Sequence, residues 1–355
     1  QRLMANRENN IDWLDSLRAL AIIGVIMIHI SSPVVKMSYG GNMIYWWIGN
    51  IINSSIRFAV PVFLMISGAT MLNREYKLGE FYKKRMMRVL LPLLFWMVVY
   101  WIFRWYSLPP AQKPYDVGGI VHWGVNLFLT EGISKHFWYI YMLLFIYLAV
   151  PFLGMFVRKL SSWSLLFLLA AWVLLCGVSS DFSLNMYSWS GDYLGKFVGY
   201  FLYSGYLVLG YYIYKYTLVS KNIRLTAVLI FVASIAVSTF FAYYASLKAG
   251  RLNVTVYSYL NLNTIVQSGA LFLSLKNTIL KNRIVRWLQK TVSDYSYGIY
   301  LVHILVIGVF FQLGIFWTMA HPLISIPALV ALILLTSGVI IFILRKIPFG
   351  KYISG

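Results

Sequence analysis

Long apolar runs, broken by short polar and basic loops, fill the chain from residue 13 to residue 344. Crossing about 30 Å of hydrocarbon at 1.5 Å per residue takes about 20 apolar residues. Ten stretches meet this requirement: 13–34, 48–72, 88–107, 137–157, 163–180, 196–216, 225–247, 256–275, 295–313 and 322–344. An eleventh, 118–130, lies beside Pro109, Pro110 and Pro114 and is too short to span, so it reads as interfacial or re-entrant. The pattern predicts an all-α polytopic membrane protein with ten transmembrane helices, residues 1–355 forming a single integral-membrane domain. The first apolar run is too long for a cleavable signal peptide and lacks a small-residue cleavage site. No repeat of 20–50 residues is visible, and no pair of Gly- or Pro-broken helices of the kind that points to a secondary transporter.

Composition agrees with the pattern. The 355 residues are 60% hydrophobic and 11% charged, where soluble domains carry about 25% charged residues. Thirty Lys and Arg against ten Asp and Glu give a net charge of +20. In a soluble protein that excess would point to nucleic acid. Here it sorts by loop instead. With the N-terminus placed inside, 22 of the 30 cations fall on the cytoplasmic side and seven on the other, and Arg57 lies within a helix. The positive-inside rule then puts both termini in the cytoplasm, and the excess charge serves topology and anionic-lipid attraction rather than a nucleic-acid surface. A single cysteine, Cys176, excludes an internal disulfide and a cysteine-clustered metal site.

Ionisable side chains inside spanning helices are costly and face a cavity or a partner. The first helix carries Asp15, Arg18 and His29. Arg18 and His29 are eleven residues apart, so they return to within about 20° of one helix face while standing ~16 Å apart along the axis. His29 has the pKa for proton transfer; the plainer reading is a hydrogen bond to a neighbouring helix. Arg57 sits sixteen residues from Asn73, ~24 Å by helical rise, too deep for easy snorkelling, and is expected to line a polar cavity near the level of His29. Ser67-Gly68 reads first as close helix packing. Lys83, Lys84, Arg85 and Arg88 stand where the third helix meets the cytoplasm. Positive-inside retention accounts for them, and so does a phosphate clamp, because Arg forks bind phosphate bidentately and Arg85 and Arg88 share a helix face. His136, with Glu131 just before it, opens the fourth helix, and His303 lies inside the ninth. No histidine spacing suits a metal, and none is expected.

These residues resemble a family. Asp15-Ser16-Leu17-Arg18 with His29 eleven residues after the arginine is similar to the Arg-x10-His signature of the acyltransferase-three membrane O-acyltransferases. Four further matches follow in order: RFAVPVFLMISG from Arg57 to Gly68; Arg85-Met86-Met87-Arg88; His136-Phe137-Trp138 with Tyr147 and Pro151; and SYGIYLVH from Ser296 to His303. The ten-helix count agrees as well. Many relatives carry a Glu pair where this chain has Leu143 and Leu144, so it resembles most the common-antigen O-acetyltransferase-like branch, and the acid partner of His29 is left open.

The resemblance implies an acyl-CoA donor, commonly acetyl-CoA, bound from the cytoplasm, and a hydroxyl of a cell-surface or lipid-linked glycan as acceptor. It implies a multi-pass protein of the bacterial inner membrane with no tightly bound cofactor and no nucleic-acid partner; a homodimer is left open. By the same resemblance His29 is the catalytic base, supported by Arg18. Arg85 and Arg88, with Lys84 and Ser67, stand on the donor side. His136, Trp138, Tyr139, Tyr300 and His303 stand on the acceptor or oxyanion side, and Arg57 or Tyr139 is placed to stabilise the oxyanion. Direct transfer and an acyl-His29 intermediate are both compatible with the sequence. Two rivals stand beside the enzyme: a glycan or small-anion transporter of the same superfamily, and a structural membrane protein.

Overall fold

The computed structural model describes residues 2–129, 133–189 and 199–355. Glu131, and residues 196–198 of the sixth predicted stretch, lie outside them. Every described element is an α-helix or a short 3-10 turn: α1 (Arg2–Ser38), α2 (Met43–Ser55), α3 (Ala59–Met71), α4 (Leu78–Ser107), α5 (Val117–Leu129), α6 (Trp138–Lys159), α7 (Ser162–Trp189), α8 (Ser204–Tyr216), α9 (Lys221–Ala249), α10 (Leu262–Leu275), α11 (Arg283–Gln312), α12 (Pro322–Lys346) and α13 (Gly350–Ile353). Helices satisfy their own backbone hydrogen bonds, which the bilayer requires. Large apolar side chains stay exposed on the outside of the bundle, among them Leu229, Val232, Phe240 and Phe241 of α9 and Leu335, Val339 and Ile343 of α12. In water such a surface would aggregate; against lipid it is solvated.

Seven segments among the described residues are long and apolar enough to cross a membrane: Asp12–Ser38, Met43–Met71, Leu78–Ser107, Lys135–Lys159, Lys221–Ala249, Arg283–Gln312 and Pro322–Lys346. Of the other three predicted stretches, 163–180 lies within the 28-residue α7, while α8 and α10 are shorter, with 13 and 14 residues, about 20 Å of rise. The 256–275 stretch starts its helix late because residues 254–261 are taken up by a 3-10 turn and side-chain bonds: Asn261 Nδ2 donates to the Thr255 carbonyl at 2.9 Å and Thr264 Oγ1 to the Ser258 carbonyl at 3.0 Å. Residues 117–129, predicted as interfacial or re-entrant, form the 13-residue helix α5.

The stretch 48–72 is two helices rather than one. α2 ends at Ser55 and α3 begins at Ala59, with a turn at Ile56-Arg57-Phe58 between them. Pro61 explains the turn: it has no N–H to give the Arg57 carbonyl, and its ring crowds that carbonyl. Arg57 therefore stands in a break, not on a helix face.

Helix α1 is the hub, packed against α2, α3, α11 and α12. The closest crossing is α3 on α8. A Cβ on Gly68 would lie 1.9 Å from the Leu207 carbonyl oxygen, and one on Gly210 would lie 2.1 Å from that of Met65. This is the small-residue packing expected of Ser67-Gly68. Side-chain amides tie further helices together: Asn53 Nδ2 donates to Ser31 Oγ at 2.8 Å, and Gln267 Nε2 to the Ser54 carbonyl at 2.8 Å.

One loop cation closes a helix end. Lys276, buried at 7% exposure, donates from Nζ to the carbonyls of Ile213 at 2.7 Å, Tyr214 at 2.8 Å and Thr217 at 2.7 Å. These oxygens belong to the last turn of α8 and the residue after it, where no intrahelical donor remains. Lys276→Met should lower stability by about 2–4 kcal/mol, because charge-assisted bonds are lost and buried carbonyls are left unpaired. Thermal unfolding in detergent measures it; an unchanged midpoint would show that water replaces the ammonium freely.

Candidate functional site

Two cavities approach each other through the bundle. The first, about 480 Å3, is basic at its mouth: Arg18 from α1, Arg85 and Arg88 from α4, and Lys351 from α13 line it. Arg18 is held by Asp15, one turn before it, at 2.7 Å, and the same carboxylate oxygen accepts a 2.7 Å bond from Ser293 Oγ of α11. The arginine therefore has a fixed root and a partly open head, its side chain 31% exposed. Ser67 and Thr70 of α3 add hydroxyls to the wall, and Tyr139, Tyr147, Tyr297 and Tyr300 add phenols. Beside this mouth, in the loop before α4, Tyr76 gives its hydroxyl to the Met71 carbonyl at 3.1 Å. Burial pushes its phenol above the usual range, against the opposite pull of Arg85, Arg74 and Arg158. Lys84 is exposed on α4 and is not among the residues lining this cavity.

The second cavity, about 680 Å3, contains His29, Tyr100, Arg104, Ser134, Lys135 and His136. Ser134 Oγ lies 2.6 Å from His136 Nδ1. Lys135 and Arg104 make this cavity cationic too, yet it differs from the first in holding two imidazoles.

Tyr300 and His303 of α11 occupy the layer between the cavities. Tyr300 lines the basic cavity, and its hydroxyl donates to the His136 carbonyl. His303, fully buried, has its ring centroid 5.2 Å from that of His29 and 5.3 Å from that of His136. Its Nδ1 is 2.7 Å from the Tyr300 carbonyl. A carbonyl only accepts, so Nδ1 carries the hydrogen and Nε2 is a bare lone pair; that atom is buried without a hydrogen-bond partner. Tyr139 packs on Tyr300 with centroids 5.4 Å apart. A continuous set of rings thus runs from the basic cavity through Tyr139, Tyr300 and His303 to His29.

The structure sorts the residues singled out in the sequence. Arg18, Ser67, Arg85, Arg88, Tyr139 and Tyr300 meet in the basic cavity, and His29 and His136 meet in the other, with His303 between. Arg57 lines neither. It lines a third, polar cavity with Lys36, Tyr257 and Tyr259, close enough to His29 for its charge to act on that imidazole. Trp138 also lines neither; it stacks on Tyr259 at 5.9 Å and 19°. Residues not anticipated are Ser293, Tyr297 and Tyr100. The first two had a signal: Ser293, Ser296, Tyr297, Tyr300 and His303 recur at three- and four-residue spacing on an otherwise apolar helix. Tyr100, whose hydroxyl donates to the Leu301 carbonyl at 3.0 Å, had none. Among the described residues no group of three His, Cys, Asp or Glu side chains is placed to hold a metal ion.

Neither the curated proteins nor the solved structures compared with this chain give a match. A family does. With seven helical segments of membrane length among the described residues, and residues 11–345 matched by the family model Acyl_transf_3, described as an acyltransferase domain, the chain belongs to the acyltransferase family 3 of membrane acyltransferases.

Proposed function

We propose that the chain is an acyl-CoA-dependent O-acyltransferase, transferring an acyl group, most simply acetyl, to a hydroxyl of a cell-surface or lipid-linked glycan at the bacterial inner membrane. The observation that carries the reading is the meeting of a basic cavity and a histidine cavity at one layer of buried rings. Coenzyme A carries phosphates on an adenosine that cannot cross hydrocarbon, so it docks at the face where cations gather. By the positive-inside rule that face is cytoplasmic. Arg85 and Arg88 suit its phosphates, since guanidinium groups bind phosphate oxygens in pairs. The neutral pantetheine arm then extends past Arg18 and Ser67 towards Tyr139 and Tyr300. The rise of ~16 Å between Arg18 and His29 along α1 is a distance such an arm can cover.

The acceptor hydroxyl enters from the opposite face, beside His29. As its oxygen attacks the thioester carbonyl, its proton passes to His29. The tetrahedral carbon then expels the CoA sulfur: the C–S bond breaks, and the thiolate receives the proton from His29. Tyr139, which lines the donor cavity and packs on Tyr300, supplies the hydroxyl for the developing oxyanion, and charge stabilisation there is worth most in a water-poor layer. His29 is the catalytic base in this scheme; His303, behind it, is a positioning residue. The bundle also keeps the thioester away from bulk water.

Donor binding tests the reading first. Acetyl-CoA at 100 times its dissociation constant should stabilise the detergent-purified protein by ~2.7 kcal/mol, read as a rise in melting temperature. Arg85→Ala/Arg88→Ala should abolish the rise. An absence of any rise with acetyl-CoA, succinyl-CoA and free CoA would overturn the donor assignment and leave a transporter of the same superfamily.

A further inference from the structure

The third cavity, about 340 Å3, has no part in the scheme above, and its chemistry is distinctive. Arg57 is 8% exposed at its wall. Its guanidinium donates from one Nη to the Tyr257 carbonyl at 3.3 Å, and its Nε has no hydrogen-bond partner. Two tyrosine faces share the charge: its Cζ lies 4.5 Å from the Tyr257 ring centre and 6.0 Å from that of Tyr259. Among the described residues no carboxylate pairs with it. The lining holds no Asp or Glu, while it does hold a second cation, Lys36, exposed at the rim. A buried charge left with two ring faces, one carbonyl and the Tyr259 hydroxyl, none of them an anion, is under-compensated. The missing counter-charge fits an anion entering the cavity.

The position of the cavity says which molecule brings the anion. His29, Ser32 and Lys36 follow at i, i+3 and i+7 on α1, one face of one helix; His29 lines the histidine cavity, and Ser32 and Lys36 line this one. The span from His29 to Lys36 is about 10 Å of rise. The partition is also thin in sequence: His136 lines one cavity, and Trp138, two residues on, stacks on Tyr259 of the other. Tyrosine faces beside polar Asn53 and Ser32 form the kind of wall on which a sugar ring rests.

We infer that the Arg57 cavity is an acceptor subsite that takes an anionic group, a carboxylate or phosphate carried by the glycan, and so places a neighbouring hydroxyl at His29. The inference rests on the acyltransferase reading for the word acceptor, but not for the anion. Its selectivity is for charge: an acidic acceptor is favoured over its neutral counterpart.

The test is direct binding to the full chain in lipid nanodiscs by calorimetry. The probes are a glucuronate-terminated tetrasaccharide, its neutral glucose counterpart, and a short-chain polyprenyl phosphate. At least one anionic probe should bind ten times more tightly than the neutral sugar, with an affinity that falls as salt rises. Which of them does so separates a sugar acid from a lipid phosphate as the source. In Arg57→Gln the preference should drop below twofold. Because Arg57 is buried, Lys36→Gln at the exposed rim serves as the second variant and should weaken anion binding about threefold. Equal binding of anionic and neutral probes, no binding of any, or a preference untouched in both variants would each overturn the subsite. Acetyl-CoA binding to the wild type and to Arg57→Gln, measured alongside, keeps the two claims apart. In the wild type, anion preference without CoA binding sinks the enzyme reading alone, and CoA binding without anion preference sinks the subsite alone; Arg57→Gln should keep CoA binding while losing the preference.

Discussion

His29→Ala should lower acyl transfer by about 10²- to 10⁴-fold, the usual worth of a positioned general base, while acetyl-CoA affinity stays within twofold of wild type. The split follows from where the residue sits. His29 lines the cavity opposite the one that holds Arg18, Arg85 and Arg88, so its removal takes no contact from the phosphates. What it removes is the imidazole next to His303, whose own Nε2 lone pair faces no donor. Release of free CoA can be followed with a thiol reagent with little background, because Cys176 is 1% exposed. His303→Gln is the informative companion. As a positioning residue its loss should slow transfer less than His29→Ala and should change the pH profile of transfer. Retention of activity within tenfold in His29→Ala would remove the residue from the chemistry. A parallel fall in donor affinity would place it in the donor site instead.

Much of this site could be read from the chain because a bilayer makes polar residues expensive. Arg18, His29, Arg85, Arg88, Tyr300 and His303 stand out on or beside apolar helices, and the structure gathers them into two cavities and, for His303, the layer between them. Two things did not follow. The break at Ile56-Arg57-Phe58, which divides the predicted stretch 48–72 and turns Arg57 onto the third cavity, is the first. The cause, Pro61, was in the sequence four residues on, but Pro33, Pro92, Pro151 and Pro327 lie inside continuous helices, so a proline alone does not mark a break in a bilayer. The partition of cavities is the second. Trp138 and Tyr139 are neighbours in sequence, yet one packs on Tyr259 and the other lines the basic cavity. Adjacent helical residues point about 100° apart, and which wall each meets depends on helix crossings that no local pattern encodes.

Those crossings carry the other large effect. Gly68→Ala and Gly210→Ala should each destabilise the protein by about 3 kcal/mol or more, at and beyond the upper range for overpacking. The added Cβ atoms would sit 1.9 Å and 2.1 Å from the Leu207 and Met65 carbonyl oxygens. Those obstacles are backbone, so no rotamer change relieves them, and α3 and α8 must separate. Gly338→Ala is the control: its Cβ meets nothing within 4 Å, and a glycine in a helix interior gains about 0.5–1 kcal/mol as alanine. Melting temperatures in detergent should therefore fall for the first two and hold or rise for the third. The double variant should cost less than the sum of the singles, because one separation relieves both clashes. Gly68→Ala as stable as wild type would mean that the crossing is looser than its geometry. The consequence reaches function because Ser67, next to Gly68, and Thr70 line the basic cavity. A shift of α3 away from α8 moves that wall, so acetyl-CoA binding should weaken in Gly68→Ala at temperatures where the helix content is still that of the wild type.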